Sequence, residues 1–210
     1  MKVTWLGHSC FKVEKDGFSV ILDPYQDGSV PGLKNVREQA NLVLCSHEHG
    51  DHNGRECVTL VSGVENPFTV SQITTYHDDA NGKLRGNNQI TILDDGSERL
   101  VHLGDLGCAL DEEQICKLQG ADVLLVPVGG FYTIDARQAV EIVEQLQPKK
   151  VIPMHYRNDE SSFGFDVFET VDVFTNLLER VAVLPGSTVE SGEEYGARIL
   201  VLQPGNAANT

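Results

Sequence analysis

The feature that most constrains this chain is the segment 46–52, with the sequence SHEHGDH, which carries four metal-ligand side chains within six residues. It directly follows the apolar run 41–45, which is typical of a buried strand. Residues two apart in an extended strand point to the same side. If the strand continues to the end of the run, His47 and His49 can therefore face one metal ion.

The second half of the segment requires a change of direction. Gly50 makes a sharp turn sterically cheap, and Asp51 and His52 can then face a second ion. The alternatives are a histidine-rich surface turn without an ion, or a single structural zinc. Structural zinc usually has four closed ligands, often cysteines, whereas the one neighbouring cysteine, Cys45, occupies a strand position. The composition of the segment therefore favours an open, catalytic type of metal site.

Length and composition indicate a single globular domain. The chain has 210 residues, of which 40% are hydrophobic and 22% charged. These values are ordinary for a soluble protein with one sizeable core. We expect one domain over residues 1–204 and a disordered tail over residues 205–210. No stretch has the apolar length of a membrane span, and the first residues enter a strand pattern without an export signal. We therefore expect a cytoplasmic protein with no membrane partner.

Charge and cysteine usage exclude further classes. The 16 basic and 31 acidic residues give a formal net charge of −15. A surface this acidic repels phosphates, so we expect no nucleic-acid partner. The five cysteines are odd in number and show no CxxC spacing, which predicts free thiols in a reducing compartment.

The hydrophobic pattern predicts many short strands interleaved with a few helices. Strands are predicted over residues 2–6, 10–14, 18–23, 42–46, 68–77, 89–93, 99–103, 122–128, 151–154, 181–184 and 197–202. Helices are predicted over residues 55–62, 111–119, 135–147 and 166–180. Because strands come first and mixed elements follow, the order suggests two sheets with helices outside.

Three more ligand-type residues stand at strand ends. His77 ends the run 72–76, Asp105 follows the run 100–104, and His155 ends the run 151–154. Each alone is more often a turn or capping residue. Together with the central segment they make coincidence improbable, because a sheet brings such ends to one edge.

The motif HEHGDH and these three later residues resemble the metallo-β-lactamase superfamily. HEHGDH matches the superfamily pattern HxHxDH in full, and the resemblance covers nearly the whole chain. It is closest to a small branch of predicted zinc-dependent hydrolases, and a bacterial L-ascorbate-6-phosphate lactonase is more distantly similar. The stretches that match the branch are 5–9, 77–79, 85–87, 102–107, 127–135 and 152–156. One departure is Cys108, where relatives commonly have histidine.

The resemblance implies an α/β fold, the four-layer αββα sandwich, in which two mixed sheets pack face to face with helices outside. It also implies two metal sites. One ion would be held by His47, His49 and His77. The other would be held by Asp51, His52 and His155, and Asp105 would bridge the two. This all-nitrogen and oxygen ligand set suits two zinc ions, and also manganese or iron.

The activity implied is hydrolysis by a metal-bound hydroxide that attacks a small ester, lactone or phosphoester. Two metal ions can lower the pKa of a bound water toward about 7 and clamp the substrate oxygen. Asp51 would orient the nucleophile and relay its proton, or act only as a ligand. The alternatives are a mononuclear iron enzyme of sulfur or redox metabolism and a non-catalytic metal-dependent binding module.

Four further residues are candidates around the site. Asp23 can accept a hydrogen bond from a ligand histidine, or simply start a turn before Pro24. His8 can touch the substrate or a metal ligand, or be a satisfied loop histidine. Arg85 is the first candidate for binding an anionic small-molecule substrate, with a solvated loop cation as the alternative. Tyr132 can donate to a substrate oxygen, or pack its ring over the loop.

Overall fold

The computed structural model describes residues 1–157, 164 and 166–207. Over these residues the chain forms fourteen strands and three α-helices. The strands are β1 (Lys2–Gly7), β2 (Cys10–Lys15), β3 (Phe18–Leu22), β4 (Glu38–Ala40), β5 (Leu42–Leu44), β6 (Val58–Leu60), β7 (Thr69–Tyr76), β8 (Asn87–Asp94), β9 (Arg99–His102), β10 (Val123–Pro127), β11 (Lys150–Met154), β12 (Val181–Val183), β13 (Thr188–Glu190) and β14 (Ile199–Val201). The helices are α1 (Glu112–Leu118), α2 (Ala136–Leu146) and α3 (Val171–Thr175).

Most strands belong to two mixed sheets. The five-stranded sheet has the order β13-β1-β2-β3-β5, and the seven-stranded sheet has the order β12-β14-β11-β10-β9-β8-β7. In the first, the neighbouring pair β3–β5 is parallel and the other neighbouring pairs are antiparallel. In the second, β9, β10, β11, β14 and β12 form a parallel set, while β8 is antiparallel to both its neighbours. A short parallel ribbon pairs β4 with β6. The predicted pair of mixed sheets is confirmed.

The main apolar core lies between the two sheets. Strand residues alternate between two faces, so Val20 and Leu22 join this core while Ile21 points to the opposite side of β3. In β10, Leu125 joins the same core and Leu124 faces the other side. Both faces of β10 are therefore buried, as its continuous apolar sequence predicts.

The outer layers differ on the two sides. The helices cover the seven-stranded sheet, where Leu118, Val143 and Phe174 pack into one apolar cluster. Both α1 and α2 begin with a capping box, in which an aspartate side chain accepts a hydrogen bond from the backbone three residues on. The outer face of the five-stranded sheet is covered instead by residues 25–40 and by the β4–β6 ribbon. In the described part of the chain, this layer contains the 3₁₀ turn Arg55–Cys57 and no α-helix. The predicted fold class is confirmed.

Sheet direction brings the ligand-bearing ends to one edge. In the five-stranded sheet β1 and β3 run parallel to β5, because β2 between β1 and β3 is antiparallel to both. In the seven-stranded sheet β7 has the same direction as β9 and β11 for the same reason. The carboxyl ends of these six strands lead into the residues that the sequence marks as ligands or their supports.

Two predicted helices are wrong in type or length. The segment 55–62 forms a single 3₁₀ turn, Arg55–Cys57, followed by β6, because Val58–Leu60 gains a parallel partner in β4 that lies far away in sequence. Of the predicted helix 166–180, only Val171–Thr175 is helical in the described residues. Its β-branched residues disfavour helix, and no side chain caps its start.

The predicted disordered tail differs from the structure over residues 205–207. Gly205 and Asn206 donate backbone hydrogen bonds to Trp5 and Leu6, at 2.9 and 3.1 Å. Ala207 pairs with Leu33. Backbone pairing with distant strands holds this segment, and residues 208–210 lie outside the described residues. The domain boundary at residue 204 stays a prediction.

The five cysteines are free thiols, as predicted. In the part of the chain that the structure describes, none of the helices has the length and apolar character needed to cross a membrane.

Candidate metal centre

Asp105 lies at the centre of a histidine cluster. Its Oδ2 atom is 3.1 Å from Nε2 of His52 and 3.1 Å from Nε2 of His155. Nε2 of His77 is 3.4 Å away and Nε2 of His47 is 3.9 Å away. These four ring nitrogens come from residues 47–155 of the sequence, and all converge on one carboxylate oxygen that is almost fully buried. The predicted convergence of His77, Asp105 and His155 on the central segment is what the structure shows.

Ligand atoms around Asp105 form two neighbouring groups. His47, His49 and His77 place one ligand atom each within 4.8 Å of one another. On the other side, His8, Asp51, His52 and His155 do the same. These groups have the same members as the two ligand sets that the family resemblance implies, with His8 added to the second. Their role as metal ligands stays a prediction.

The geometry of the central segment differs from the predicted one. Strand β5 ends at Leu44 and residues 46–52 form bends and turns, so strand alternation does not aim His47 and His49. Their rings instead contact each other edge to face, with centroids 4.6 Å apart. His47 is buried and His49 is exposed, so the first group opens toward solvent through His49.

Asp23 and Ser46 orient two of the histidine rings. Asp23 Oδ2 accepts hydrogen bonds from His52 Nδ1 at 2.8 Å and from Ser46 Oγ at 2.6 Å. Ser46 Oγ in turn accepts from His47 Nδ1 at 2.9 Å. Since both Nδ1 atoms carry the proton in this network, both Nε2 atoms present a lone pair toward the centre. The predicted hydrogen bond from a ligand histidine to Asp23 is present.

The backbone around the site is held in an unusual conformation. His8, Asp23 and His155 have φ values of 53°, 45° and 52°, in the left-handed region. A residue with a side chain costs roughly 1–2 kcal/mol there. Each of these residues comes directly after a strand, so the turn bends the chain sharply and points the side chain across the sheet edge.

His8 contacts a ligand-type residue, and it does not line the cavity. Its Nε2 atom is 3.2 Å from Asp51 Oδ2, its side chain is 2% exposed, and its ring lies 4.3 Å from that of His155. It therefore contacts Asp51 and packs against His155, so the predicted contact with a metal-ligand residue is present. The predicted contact of His8 with substrate stays a prediction. Tyr132 and Arg85, in contrast, both line the cavity in front of the site.

Burial and crowding shift the ionisation of the cluster. Burial and the charge on His52 lower the pKa of His47 to about 3, and burial and His155 lower the pKa of His8 to about 4. Burial alone would raise the pKa of Asp105, but His155 and His52 hold it well below its usual range. For His52, burial lowers the pKa and the charges on Asp105 and Asp23 raise it by more. These shifts keep Asp105 ionised and His47 neutral, which is the state in which both side chains can bind a cation.

The residues fit divalent metal ions. Nε2 of His47, Nε2 of His52 and Oδ1 of Asp105 are buried and have no hydrogen-bond partner in the described residues. Buried polar atoms of native proteins are nearly always satisfied, so these atoms require a group that accepts their lone pairs. A divalent cation does so, and the nitrogen and oxygen donors suit zinc, manganese or iron.

A cavity of about 240 Å³ opens in front of these atoms. It is lined by His49, Asp51, His77, Arg85, Asp105, Tyr132 and His155. The Arg85 guanidinium lies 5.1 Å from the centre of the Tyr132 ring, a cation–π distance. Arg85 and Tyr132, two of the predicted substrate-contact residues, therefore line the cavity from the loops after β7 and β10.

Three supporting residues escape the sequence reasoning. Ser46 links Asp23 to His47, and its position next to the motif is the only signal for it. Asn88 accepts a hydrogen bond from the Asp105 backbone at 2.9 Å and donates to Leu103 O at 2.9 Å, and no sequence pattern marks it. Asp78 accepts four backbone hydrogen bonds from the loop that carries Arg85. A second aspartate and an Asn-Gly pair after His77 are a recognisable signal for such a loop.

Comparison with known proteins agrees with this architecture. A family model described as a beta-lactamase superfamily domain matches residues 2–155. A solved structure from Thermotoga maritima, named for a Zn-dependent hydrolase of the metallo-beta-lactamase superfamily, aligns with a TM-score of 0.77 and 29% identity over 96% of this chain and 97% of its own. Igni18, a metallo hydrolase from Ignicoccus hospitalis, shares the fold at a TM-score of 0.63 and 22% identity. The fold and the site thus define a member of the metallo-β-lactamase superfamily.

Curated relatives narrow the assignment. A UPF0173 metal-dependent hydrolase of Carboxydothermus hydrogenoformans is 29% identical, over 98% of this chain and 98% of its own. One from Methanopyrus kandleri is 31% identical over 90% of this chain and 100% of its own. The chain belongs to the UPF0173 metal-dependent hydrolase family. The predicted superfamily and branch are confirmed, and the distant similarity to L-ascorbate-6-phosphate lactonase stays a prediction.

Proposed function

We propose that this protein is a dinuclear metal-dependent hydrolase of a small ester, lactone or phosphoester. The observation that carries the proposal is the convergence of four histidine Nε2 atoms within 3.9 Å of Asp105 Oδ2, with a cavity in front of them. The names of the relatives in the same family point to the same general activity.

The two ligand groups would hold two ions, zinc by preference. His47, His49 and His77 would hold one ion, and Asp51, His52 and His155 the other. Asp105, which contacts both groups, would bridge them. Two such metal ions would supply a Lewis acid for the substrate oxygen and would lower the pKa of a bound water toward about 7.

The protein's own residues then divide the work. Asp51 is the carboxylate suited to proton transfer, because its side chain is 23% exposed and lines the cavity. Asp105 is 2% exposed, and its proposed role is to bridge the two ions. His8 fixes the Asp51 carboxylate through the 3.2 Å contact, which leaves the other carboxylate oxygen available. Arg85 and Tyr132 would orient the substrate at the mouth of the cavity.

Metal removal and reconstitution test the proposal. The protein is purified without added metal, its metal content is measured, and it is stripped and reloaded with zinc, manganese or iron. We expect zinc to restore hydrolysis of p-nitrophenyl esters, a lactone or a phosphodiester, with two ions bound per chain. We expect Asp51→Ala to lower kcat/KM by at least about 100-fold, the lower range for a general acid–base residue, with an unchanged far-UV spectrum.

The matched control is Asp79→Ala, an exposed aspartate beside the same site, which should keep its activity. Failure of every metal to restore turnover would contradict the proposal. One iron per chain with visible absorbance would favour the mononuclear iron enzyme. Metal binding without turnover on any substrate class would favour the binding module.

A further inference from the structure

A second, larger cleft adjoins the cavity of the candidate metal centre. Its volume is about 550 Å³, and it shares His49 and Arg85 with that cavity. The other lining residues come from the segment after β5 and from strands β7 and β8. They are Cys45, Ser46, His47, Glu48, Arg55, Gln72, Asn87 and Gln89. The two cavities therefore adjoin each other, with His49 and Arg85 at their junction.

The floor of the cleft carries amide side chains from β7 and β8. β7 is the edge strand of the seven-stranded sheet and β8 lies beside it. Gln72 lies opposite Thr91 in this pair of strands, and Gln89 lies opposite Thr74. Gln72 Nε2 donates to Thr91 Oγ1 at 3.1 Å, and the Gln89 amide contacts Thr74 Oγ1 at 3.1 Å. A primary amide has two donor hydrogens and two acceptor lone pairs, so both glutamines retain capacity for a ligand.

The cleft is positively charged in a strongly acidic protein. Arg55 and Arg85 against Glu48 leave a formal charge of +1 on its lining, whereas the whole chain carries −15. Arg55 already faces Glu48, with 3.6 Å between guanidinium and carboxylate. Among the described ion pairs Arg85 has no carboxylate partner, and its guanidinium lies over the Tyr132 ring. Arg85 is thus the cation available to a ligand at the junction of the two cavities.

The loop around Arg85 is built to hold it there. Asp78 accepts backbone hydrogen bonds from Ala80 and Gly82 through Oδ1, at 2.8 and 2.9 Å. Through Oδ2 it accepts from Leu84 and Arg85, at 3.0 and 2.7 Å. The backbone of Arg85 is therefore fixed to the residue directly after His77, and a ligand need not order this loop in order to bind.

We infer, on the basis of the proposed hydrolase function, that the cleft is a subsite for a remote oxyanion of the substrate, which Arg85 binds while the scissile bond lies in the inner cavity. A carboxylate or a phosphate fits the guanidinium fork through two parallel hydrogen bonds. The glutamine amides on the floor bind the polar chain that joins the oxyanion to the reacting ester. The substrate class is therefore a small ester whose acyl part carries a terminal anion.

Three p-nitrophenyl esters of equal chain length test this subsite on the zinc-loaded full chain. They are the esters of butyric acid, succinic acid and 3-phosphonopropionic acid, which end in a methyl group, a carboxylate and a phosphonate. We expect kcat/KM to be higher for one or both anionic esters than for the butyrate. Arg85→Met should lower kcat/KM for the preferred anionic ester by about 10- to 100-fold, the range for loss of a charged hydrogen bond, and lower kcat/KM for the butyrate by much less.

Two variants and a binding measurement control the result. Arg137→Met removes an exposed arginine on α2, outside both cavities, and should behave as wild type. Arg85→Lys keeps the charge without the fork and should retain part of the preference. Calorimetric titration of the zinc-loaded protein with 3-phosphonopropionate should show weaker binding for Arg85→Met and unchanged binding for Arg137→Met.

The possible outcomes separate the two proposals. Equal kcat/KM for all three esters, with no response to Arg85→Met, would overturn the subsite and leave the hydrolase function standing. If the carboxylate and phosphonate esters differ, the larger value identifies the oxyanion. If Arg85→Met lowers kcat/KM for the butyrate as much as for the anionic ester, Arg85 acts on the reacting group itself, and the subsite is overturned. Absence of turnover on every ester would count against the hydrolase function instead.

Discussion

Asp23 determines the direction of two histidine rings without reaching the centre of the site itself. It accepts three hydrogen bonds, from Ser46 N, from Ser46 Oγ and from His52 Nδ1. Through Ser46 it also fixes the ring of His47. Its left-handed φ of 45° is a conformation that aspartate and asparagine tolerate better than most residues. One residue therefore combines a strained turn with the orientation of two predicted ligands.

Asp23→Asn is expected to weaken zinc binding while keeping the fold. Asparagine tolerates the same φ, but its amide presents N–H where the His52 Nδ1–H needs an acceptor. Loss of such a support typically costs about 10- to 100-fold in metal affinity, which a competitive chelator titration measures. Asp16→Asn is the matched control, because Asp16 has a φ of 51° in an exposed turn away from the site. Equal zinc affinity of the two variants would contradict the role of Asp23.

The loop between β7 and β8 is the element that a single side chain organises. Its order comes from the four hydrogen bonds that Asp78 accepts, and its sequence contains Gly82 and Gly86 with φ values of 75° and 86°. The glycines allow the backbone to close around the carboxylate. Because the loop carries Arg85, its ordered backbone would serve the proposed subsite.

Asp78→Ala is expected to release this loop and leave four backbone N–H groups without their acceptor. We expect faster tryptic cleavage after Lys83 or Arg85, and reduced preference for the anionic ester with most butyrate activity retained. Asp79→Ala changes the exposed neighbour and should show neither effect. Unchanged tryptic cleavage of Asp78→Ala would show that other contacts hold the loop.

At the scale of the whole molecule, the site lies where strand ends of both sheets come together around buried histidines and Asp105. The five-stranded sheet supplies the turns after β1, β3 and β5, and the seven-stranded sheet supplies the residues after β7, β9 and β11. Four buried histidines surround the single Asp105 carboxylate. Metal ions bound by both groups would therefore connect the two sheets.

Zinc is expected to stabilise the protein against heat. A ligand that binds only the folded state adds about 2.7 kcal/mol when it exceeds its Kd about 100-fold. For a chain of this size that corresponds to a rise in Tm of roughly 5–10 °C, measured by differential scanning calorimetry with zinc and with EDTA. Asp105→Asn, which removes the bridging charge, should lose most of this rise. The same Tm in zinc and in EDTA would contradict a metal site between the sheets.

The sequence by itself determined the elements whose signals are local. The apolar runs of β3 and β10, the helical hydrophobic pattern of α2 and the dense motif 47–52 can all be recognised without partners. Together with the three ligand-type residues at strand ends, they predicted the two sheets, the helix α2 and the seven ligand-type residues. The role of each of those residues in metal binding stays a prediction.

Only the tertiary structure decided the features that depend on distant contacts. β6 forms because β4 lies beside it. His8 contacts Asp51 because the turn after β1 lies next to the central motif. Likewise, Arg85 lines the cleft because Asp78 accepts hydrogen bonds from the backbone of the loop that carries it. Local sequence sets which conformations a segment prefers. The final choice belongs to long-range pairing, because burial and hydrogen bonding between remote segments outweigh small local preferences.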